Sequence, residues 1–333
     1  MRTLVFALLY LTISGAANAQ RTDEPLVIYS ERKPFLLEPL VKRYQLETGI
    51  KIQILTDQAS VLLERLAAEG EYTKADIFMT VDAGSLVHAA KRGVLAKINS
   101  PTLNAAIPAN LRDPENRWFG LSLRARTMIY NPAKIDPALI QNYADLAKPA
   151  LKGKLCLRSS KKVYNQSLIA MQLASLGAAR TEAMVRGWVT NLAAPAFADD
   201  TLLLNAVASG QCAVGVVNTY YFGRVQKDNP SVAAKLLFAD QKGQGTHVNI
   251  SGAGVIAASK QKAEAQAFLE WLAGTEAQAI FAEVNLEYPV NAKAKLDPVV
   301  AAWGSFKRDP RNIQIAGDRQ AEAVKIMDRA GWR

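Results

Sequence analysis

The sequence predicts an α/β protein built as two doubly wound lobes joined by hinge strands. Three observations lead there. The chain is 333 residues long, and single hydrophobic cores stop growing near roughly 250–300 residues, so two cores suit it better than one. Its residues are 50% hydrophobic and 21% charged, a balance that a folded protein has and a disordered one lacks. Short β-prone runs alternate with helical patterns, the order that makes a doubly wound sheet covered on both faces.

The elements follow in chain order. Arg2 is the only charge before Arg21. An apolar run from Leu4 to Ile13 follows, and then small residues ending Ala17-Asn18-Ala19-Gln20. This is a secretory signal peptide over residues 1–19, cut near Ala19/Gln20. The apolar run is too short to span a bilayer core of ~30 Å as a helix, and no later apolar stretch reaches ~18 residues. The mature chain is therefore expected in the periplasm as a soluble protein. Leu26 to Ser30 is a β-prone run, Phe35 to Thr48 a helix closed by Gly49, and Ile50 to Leu55 an alternating strand. Val61 to Glu69 reads as a helix, Ala75 to Thr80 as a buried strand, and Ala83 to Arg92 as a helix ended by Gly93. Trp118 to Asn131 reads as one long strand.

A second unit then begins. Leu155 to Leu157 is a strand, and Gln166 to Gly177 and Thr181 to Leu192 are helices. Ala213 to Val217 is a strand that runs into Asn218-Thr219-Tyr220-Tyr221. Thr246 to Ala258 reads as strand again, and Gln261 to Ala273 and Glu276 to Glu283 as helices. The extended stretches near 118–131 and 240–258 cross between the units. The first lobe is then residues 20–124 plus 248–299 and the second 125–247 plus 300–333, with the site in the cleft between them.

Charge and composition exclude several functions. Forty Lys and Arg oppose thirty Asp and Glu, a formal net charge of +10 that removal of Arg2 lowers to +9. Such an excess fits nucleic acid, a membrane surface or an anionic ligand. Export argues against nucleic acid, and no basic run interleaved with aromatics occurs. Two Cys exclude a disulfide-dense scaffold, and two His exclude a His-rich metal site.

The cysteines and tyrosines share a spacing. Cys156 and Cys212 are 56 residues apart, as are Tyr164 and Tyr220. In an oxidising compartment the two Cys are expected to form a disulfide. Neighbouring strands tied in this way would carry both phenols to one end of a sheet. Tyr221 adds a third, provided that Tyr220 and Tyr221 sit in the turn where the strand ends, since adjacent strand residues face opposite sides. Three phenols suit a hard, highly charged cation such as ferric iron, whose charge drives their deprotonation. On spacing alone a Tyr-Tyr pair also reads as packing or as a sugar-stacking surface.

The chain resembles the periplasmic ferric-ion-binding proteins that serve iron ABC transporters. The likeness runs from Leu26 to Asn291. It rests on Tyr29-Ser30-Glu31-Arg32-Lys33, on Gly120-Leu121-Ser122 with Arg124 and Arg126, and on Tyr164-Asn165. It continues through Val217-Asn218-Thr219-Tyr220-Tyr221, the stretch Gly245 to Gly254, and Asn285-Leu286-Glu287-Tyr288-Pro289-Val290. The resemblance implies a type II periplasmic-binding-protein fold with iron held by Tyr164, Tyr220 and Tyr221. It implies delivery to an inner-membrane permease, with free ferric iron or a chelate as cargo and the protein acting as a monomer. Some members add a His or His-Tyr donor from the loop after the first strand. Here that loop reads Arg32-Lys33-Pro34-Phe35, so no fourth protein ligand is expected from the first lobe. The likeness is then to members that complete the shell with carbonate or a similar synergistic anion. Arg32, Arg124 and Arg126 are the candidates to grip it, because a guanidinium offers oxyanions a planar fork.

Other signals are weaker. Gly252-Ala253-Gly254-Val255-Ile256-Ala257 matches a loose dinucleotide fingerprint without the required helix and acidic residue. His88 and His247 read as structural, and Tyr288 as packing or cleft lining. Two other functions stay open: a binding protein for a small oxyanion or organic anion, and a periplasmic enzyme using the cleft tyrosines. Against an enzyme stand the lack of a base for a nucleophile and of a placeable carboxylate pair.

Overall fold

The structure, a computed structural model, describes residues 24–333. The expected signal peptide and cleavage point lie outside the described residues.

The first lobe opens with β1 (Leu26–Ser30), α1 (Glu38–Thr48), β2 (Ile52–Thr56), α2 (Ala59–Glu69), β3 (Ile77–Thr80), α3 (Ala83–Lys91) and α4 (Pro101–Ala106). β1 pairs in parallel with both β2 and β3, the result expected when helices make the crossovers. α1 ends where Gly49 takes φ 72°, a left-handed closure that glycine adopts without a Cβ clash. α3 begins where the Asp82 carboxylate accepts the Gly84 N–H at 2.7 Å, an ordinary N-cap.

β4 (Phe119–Tyr130) is the strand that both lobes share. Its first half, to Ala125, pairs antiparallel with β8 (Val248–Val255). From Arg126 onward it pairs antiparallel with β6 (Val214–Asn218). The chain therefore passes between lobes at Ala125–Arg126, and again at His247–Val248, where the Arg126 N–H donates to the His247 carbonyl at 3.1 Å. The sheet order is β2-β1-β3-β8-β4-β6-β5. Gly252 and Gly254 lie within β8, where a Cβ would run into the carbonyl oxygens of Phe119 and Arg117. They serve close strand approach, and no helix opens on them, so the dinucleotide reading falls away.

The second lobe contains β5 (Leu155–Cys156), α5 (Val163–Leu176), α6 (Ala178–Thr190), α7 (Asp200–Ala208), β6, α8 (Thr219–Asp228) and β7 (Lys235–Leu237). After β8 the chain returns through α9 (Lys262–Leu272), α10 (Thr275–Asn285) and β9 (Tyr288–Pro289) in the first lobe. It ends with α11 (Pro298–Ala302), α12 (Gln314–Asp318) and α13 (Gln320–Arg329). The apolar core of the first lobe takes in Val300, Ile313 and Ala316, whereas Ala323, Ile326 and Trp332 pack into the second. α12 packs against both α3 of the first lobe and α5 of the second, so the C-terminal segment spans the two lobes there; the sequence expectation puts its boundary at residue 300. α7 went unread in the sequence, although Asp199 marks its start by accepting the Leu202 N–H at 2.8 Å.

Candidate metal centre

The floor of the second lobe is set by two parallel strands. β5 and β6 pair with Cys156 opposite Gly215. The disulfide Cys156–Cys212 ties them with a Cα–Cα distance of 5.9 Å, within the usual range. Each strand leads to a helix that carries a tyrosine at its second position: Tyr164 in α5 and Tyr220 in α8. Their hydroxyls meet at 3.4 Å, the Tyr220 O–H donating to Tyr164. Tyr221 follows in the same helical turn, its ring centroid 4.4 Å from that of Tyr220. The sequence expectation that Tyr220 and Tyr221 sit in a turn ahead of the helix is corrected, because α8 starts at Thr219. Consecutive residues in a helix are separated by about 100°, not the 180° of a strand, so both rings reach one cavity from within the helix.

That cavity, of about 600 Å³, lies between the lobes. Tyr164, Tyr220 and Tyr221 line it from the second lobe, and Glu31, Lys33 and Val81 from the first. A neighbouring groove of about 790 Å³ shares Glu31, Gln58 and Lys162 with it but holds no tyrosine. Tyr164 and Tyr220 are each 6% exposed. Burial, and then the neighbouring phenols, push the Tyr220 pKa well above its ordinary value. Burial and the nearby Tyr221 do the same to Tyr164. Arg124 pulls both back toward ionisation; its guanidinium carbon lies 5.8 Å from the Tyr220 ring centroid.

The cavity wall is cationic. Lys162 sits 4.7 Å from the Tyr164 ring centroid, Arg224 lies 5.1 Å from that of Tyr220, and Arg158 lies 5.9 Å from that of Tyr164. Lys162, Arg158 and Arg224 went unread in the sequence. Lys162 and Arg158 precede Tyr164 by two and six residues, and Arg224 follows Tyr221 by three, and that proximity was the available signal.

The three arginines singled out in the sequence divide. Arg32 and Arg124 line the cavity with Glu287. The Glu287 carboxylate accepts from Arg32 at 3.0 Å and from Arg124 at 2.8 Å, and from the Ser122 hydroxyl at 2.7 Å. Burial alone would raise the Glu287 pKa, but Arg32 and then Arg124 outweigh it and hold the group at about 2. The Nε atoms of Arg32 and Arg124 are buried without a hydrogen-bond partner. Arg126 does not reach the cavity wall. Its guanidinium is consumed by Asp200 at 3.2 Å, Asn218 at 3.1 Å and Asn165 at 2.9 Å.

The remaining candidates fall outside the site. His247 is buried among the hinge strands, and burial lowers its pKa to about 3. His88 bonds Gln320 at 2.7 Å near the protein surface. Tyr288 packs edge-on against Trp303 and Phe306. Among the described residues no group of three or more His, Cys, Asp or Glu could hold a metal ion. The converging oxygen donors are the phenols, which a hard trivalent cation prefers.

Comparison with known proteins adds to this geometry. Residues 29–279 match the model of the bacterial extracellular solute-binding protein family. Iron uptake protein A2 of Synechocystis is 39% identical over 339 residues, covering 99% of this chain and 96% of that protein. The Fe(3+)-binding periplasmic protein of Serratia marcescens is 29% identical, covering 96% of this chain and 94% of its own. The structure of the Trichodesmium protein IdiA (FutA) in complex with iron and citrate superposes with a TM-score of 0.89 at 42% identity. It covers 93% of this chain and 100% of that one.

Proposed function

The chain belongs to the bacterial extracellular solute-binding protein family, and from that premise we propose that it captures ferric iron in the periplasm and delivers it to an inner-membrane ABC permease. The observation that carries this reading is the convergence of Tyr164, Tyr220 and Tyr221 on one interlobe cavity. The names of its relatives, an iron uptake protein and an Fe(3+)-binding periplasmic protein, agree with it. The cargo is the ion itself, so the protein is a carrier and not an enzyme, and it works as a monomer.

The chemistry follows from the residues. The three hydroxyls give up their protons to bind as phenolates, and the ion's charge offsets the cost that burial imposes. Tyr164 and Tyr220 stand in the first turns of α5 and α8, where the helix end is partially positive and favours the anionic form. Arg124 adds a full positive charge beside them. A synergistic anion, carbonate or a similar oxyanion, fills the remaining positions. Arg32 and Arg124 suit it best, because each has a buried Nε donor without a partner, and such a donor costs free energy until an acceptor arrives. Arg126 acts at a distance, holding Asn165 and Asn218 beside the two tyrosines. Closure about the hinge strands encloses the ion, and opening at the permease releases it.

Ferric iron added with bicarbonate to the apo protein should give a visible phenolate-to-iron charge-transfer band. The Tyr220→Phe, Tyr221→Phe double variant should lose it. A colourless wild-type protein that retains no iron, or a double variant that keeps the colour, would defeat this reading. Omitting bicarbonate, or replacing it with citrate, tests which anion completes the shell.

A further inference from the structure

We propose that the first lobe supplies a fourth protein donor to the ferric ion, a carboxylate oxygen of Glu31. The proposal rests on the reading of the tyrosines as ligands and deepens it. Residues 33–35 offer no obvious donor, and the sequence alone suggested that the first lobe has none. Glu31, two residues earlier, occupies the first-lobe wall of the tyrosine cavity.

Its surroundings are those of a ligand awaiting a cation. Glu31 leaves the end of β1 half-buried. One carboxylate oxygen, Oε2, accepts the Val81 N–H at 3.1 Å, which fixes the group's direction. Burial raises the Glu31 pKa, and the Val81 N–H, Lys162 and Arg124 offset this only in part; neither cation forms an ion pair with it. Arg124 is committed to Glu287, and the Lys162 ammonium lies over the Tyr164 ring. Glu31 lines the cavity from the first lobe, across from Tyr164, Tyr220 and Tyr221 of the second. Three phenols and a carboxylate thus line one interlobe cavity. Such a cluster is unfavourable on its own and becomes favourable around a hard trivalent cation. Because Glu31 belongs to the first lobe and the tyrosines to the second, the bond it makes would also hold the lobes closed.

Glu31→Gln separates the ligand role from a structural one. Glutamine keeps a carbonyl oxygen to accept the Val81 N–H, so the loop is preserved, but it loses the anionic donor. Wild type, Glu31→Gln and Glu31→Asp would each be titrated with ferric nitrilotriacetate in bicarbonate. The readouts are affinity by chelator competition, the charge-transfer band, and iron X-ray absorption. The expected result is a retained band in Glu31→Gln, since three phenolates remain, with affinity lower by roughly 10–100-fold and one fewer oxygen neighbour. Glu31→Asp should fall between the two. An unchanged affinity in Glu31→Gln overturns the proposal while leaving the tyrosine reading standing. So does a weakened Glu31→Gln whose iron keeps the wild-type absorption spectrum, because Glu31 would then act only through its field. A colourless wild-type protein overturns the tyrosine reading and this proposal with it.

Discussion

At the scale of single residues, protons govern the site. Burial raises the pKa of Tyr164 and Tyr220 above the ordinary phenol value, so both are protonated in the iron-free protein at neutral pH. Binding as phenolates, as proposed, would release those protons, and ferric affinity should then rise with pH by about tenfold per unit for each proton released. Chelator competition between about pH 5 and 8 measures the slope; a pH-independent affinity would exclude phenolate ligation. Glu287 titrates in the opposite sense. Its folded pKa of about 2 lies below an unfolded value of ~4.3. Its contribution to stability is therefore complete above that unfolded value and is lost as pH falls through about 2. Removing the charge at neutral pH strands two buried guanidinium groups, so Glu287→Gln should cost about 3–5 kcal/mol in urea unfolding. The tyrosines were legible in the sequence because their spacing repeats that of the cysteines. The division of labour among the arginines was not. The partner that engages Arg32 lies 255 residues away and the one that engages Arg126 lies 74 residues away, and nothing local records either pairing.

At the scale of elements, the disulfide and the two strand-to-helix turns form one device. β5 and β6 are parallel neighbours, Cys156 and Cys212 bind them together, α8 starts directly after β6, and α5 follows β5 after a short loop. The most strongly patterned elements were readable because hydrophobic periodicity and glycine stops mark them: β1, α1 and β3 in the first lobe, and β6 in the second. The start of α8 was misread because Thr219-Tyr220-Tyr221 continues a β-prone run, and tertiary packing of Tyr220 and Phe222, both buried, overrides that preference. α7 was missed for a related reason: its apolar Leu203, Leu204 and Val207 pack into a small core beside the disulfide that only the assembled lobe defines. Closing a loop across 56 residues removes unfolded-state entropy worth about 4 kcal/mol. Replacing both cysteines by serine should lower apo stability by up to that amount, read as a shift in the urea midpoint. It should also weaken iron binding, since the two phenols lose their common floor. A double variant with unchanged stability and iron affinity would show that strand pairing alone sets the site.

At the scale of the whole molecule, one cavity is made by two lobes that share only a few strands. Each lobe has its own main apolar cluster, with Met171 and Tyr220 of the second lobe reaching the first, and the chain crosses between them at Ala125–Arg126 and His247–Val248. The tyrosines come from one side, and Arg32, Arg124 and Glu287 lie at the floor where the two meet. An unfolded chain, even with Cys156–Cys212 closed, does not hold the tyrosines in the geometry of the folded cavity, so iron binds the folded state preferentially and stabilises it by mass action. At a free concentration of 1,000 times Kd the gain is about 4.1 kcal/mol. Scanning calorimetry should therefore show the unfolding transition move upward with ferric iron and return after chelation. With Glu31 as the proposed first-lobe ligand, the ion would bridge the lobes, and the gain should then appear as closer coincidence of their unfolding as well as a higher Tm. Iron that stabilised only one of two resolved transitions would place the ligands on the second lobe alone, and would argue that closure follows from the anion or the permease instead of the metal.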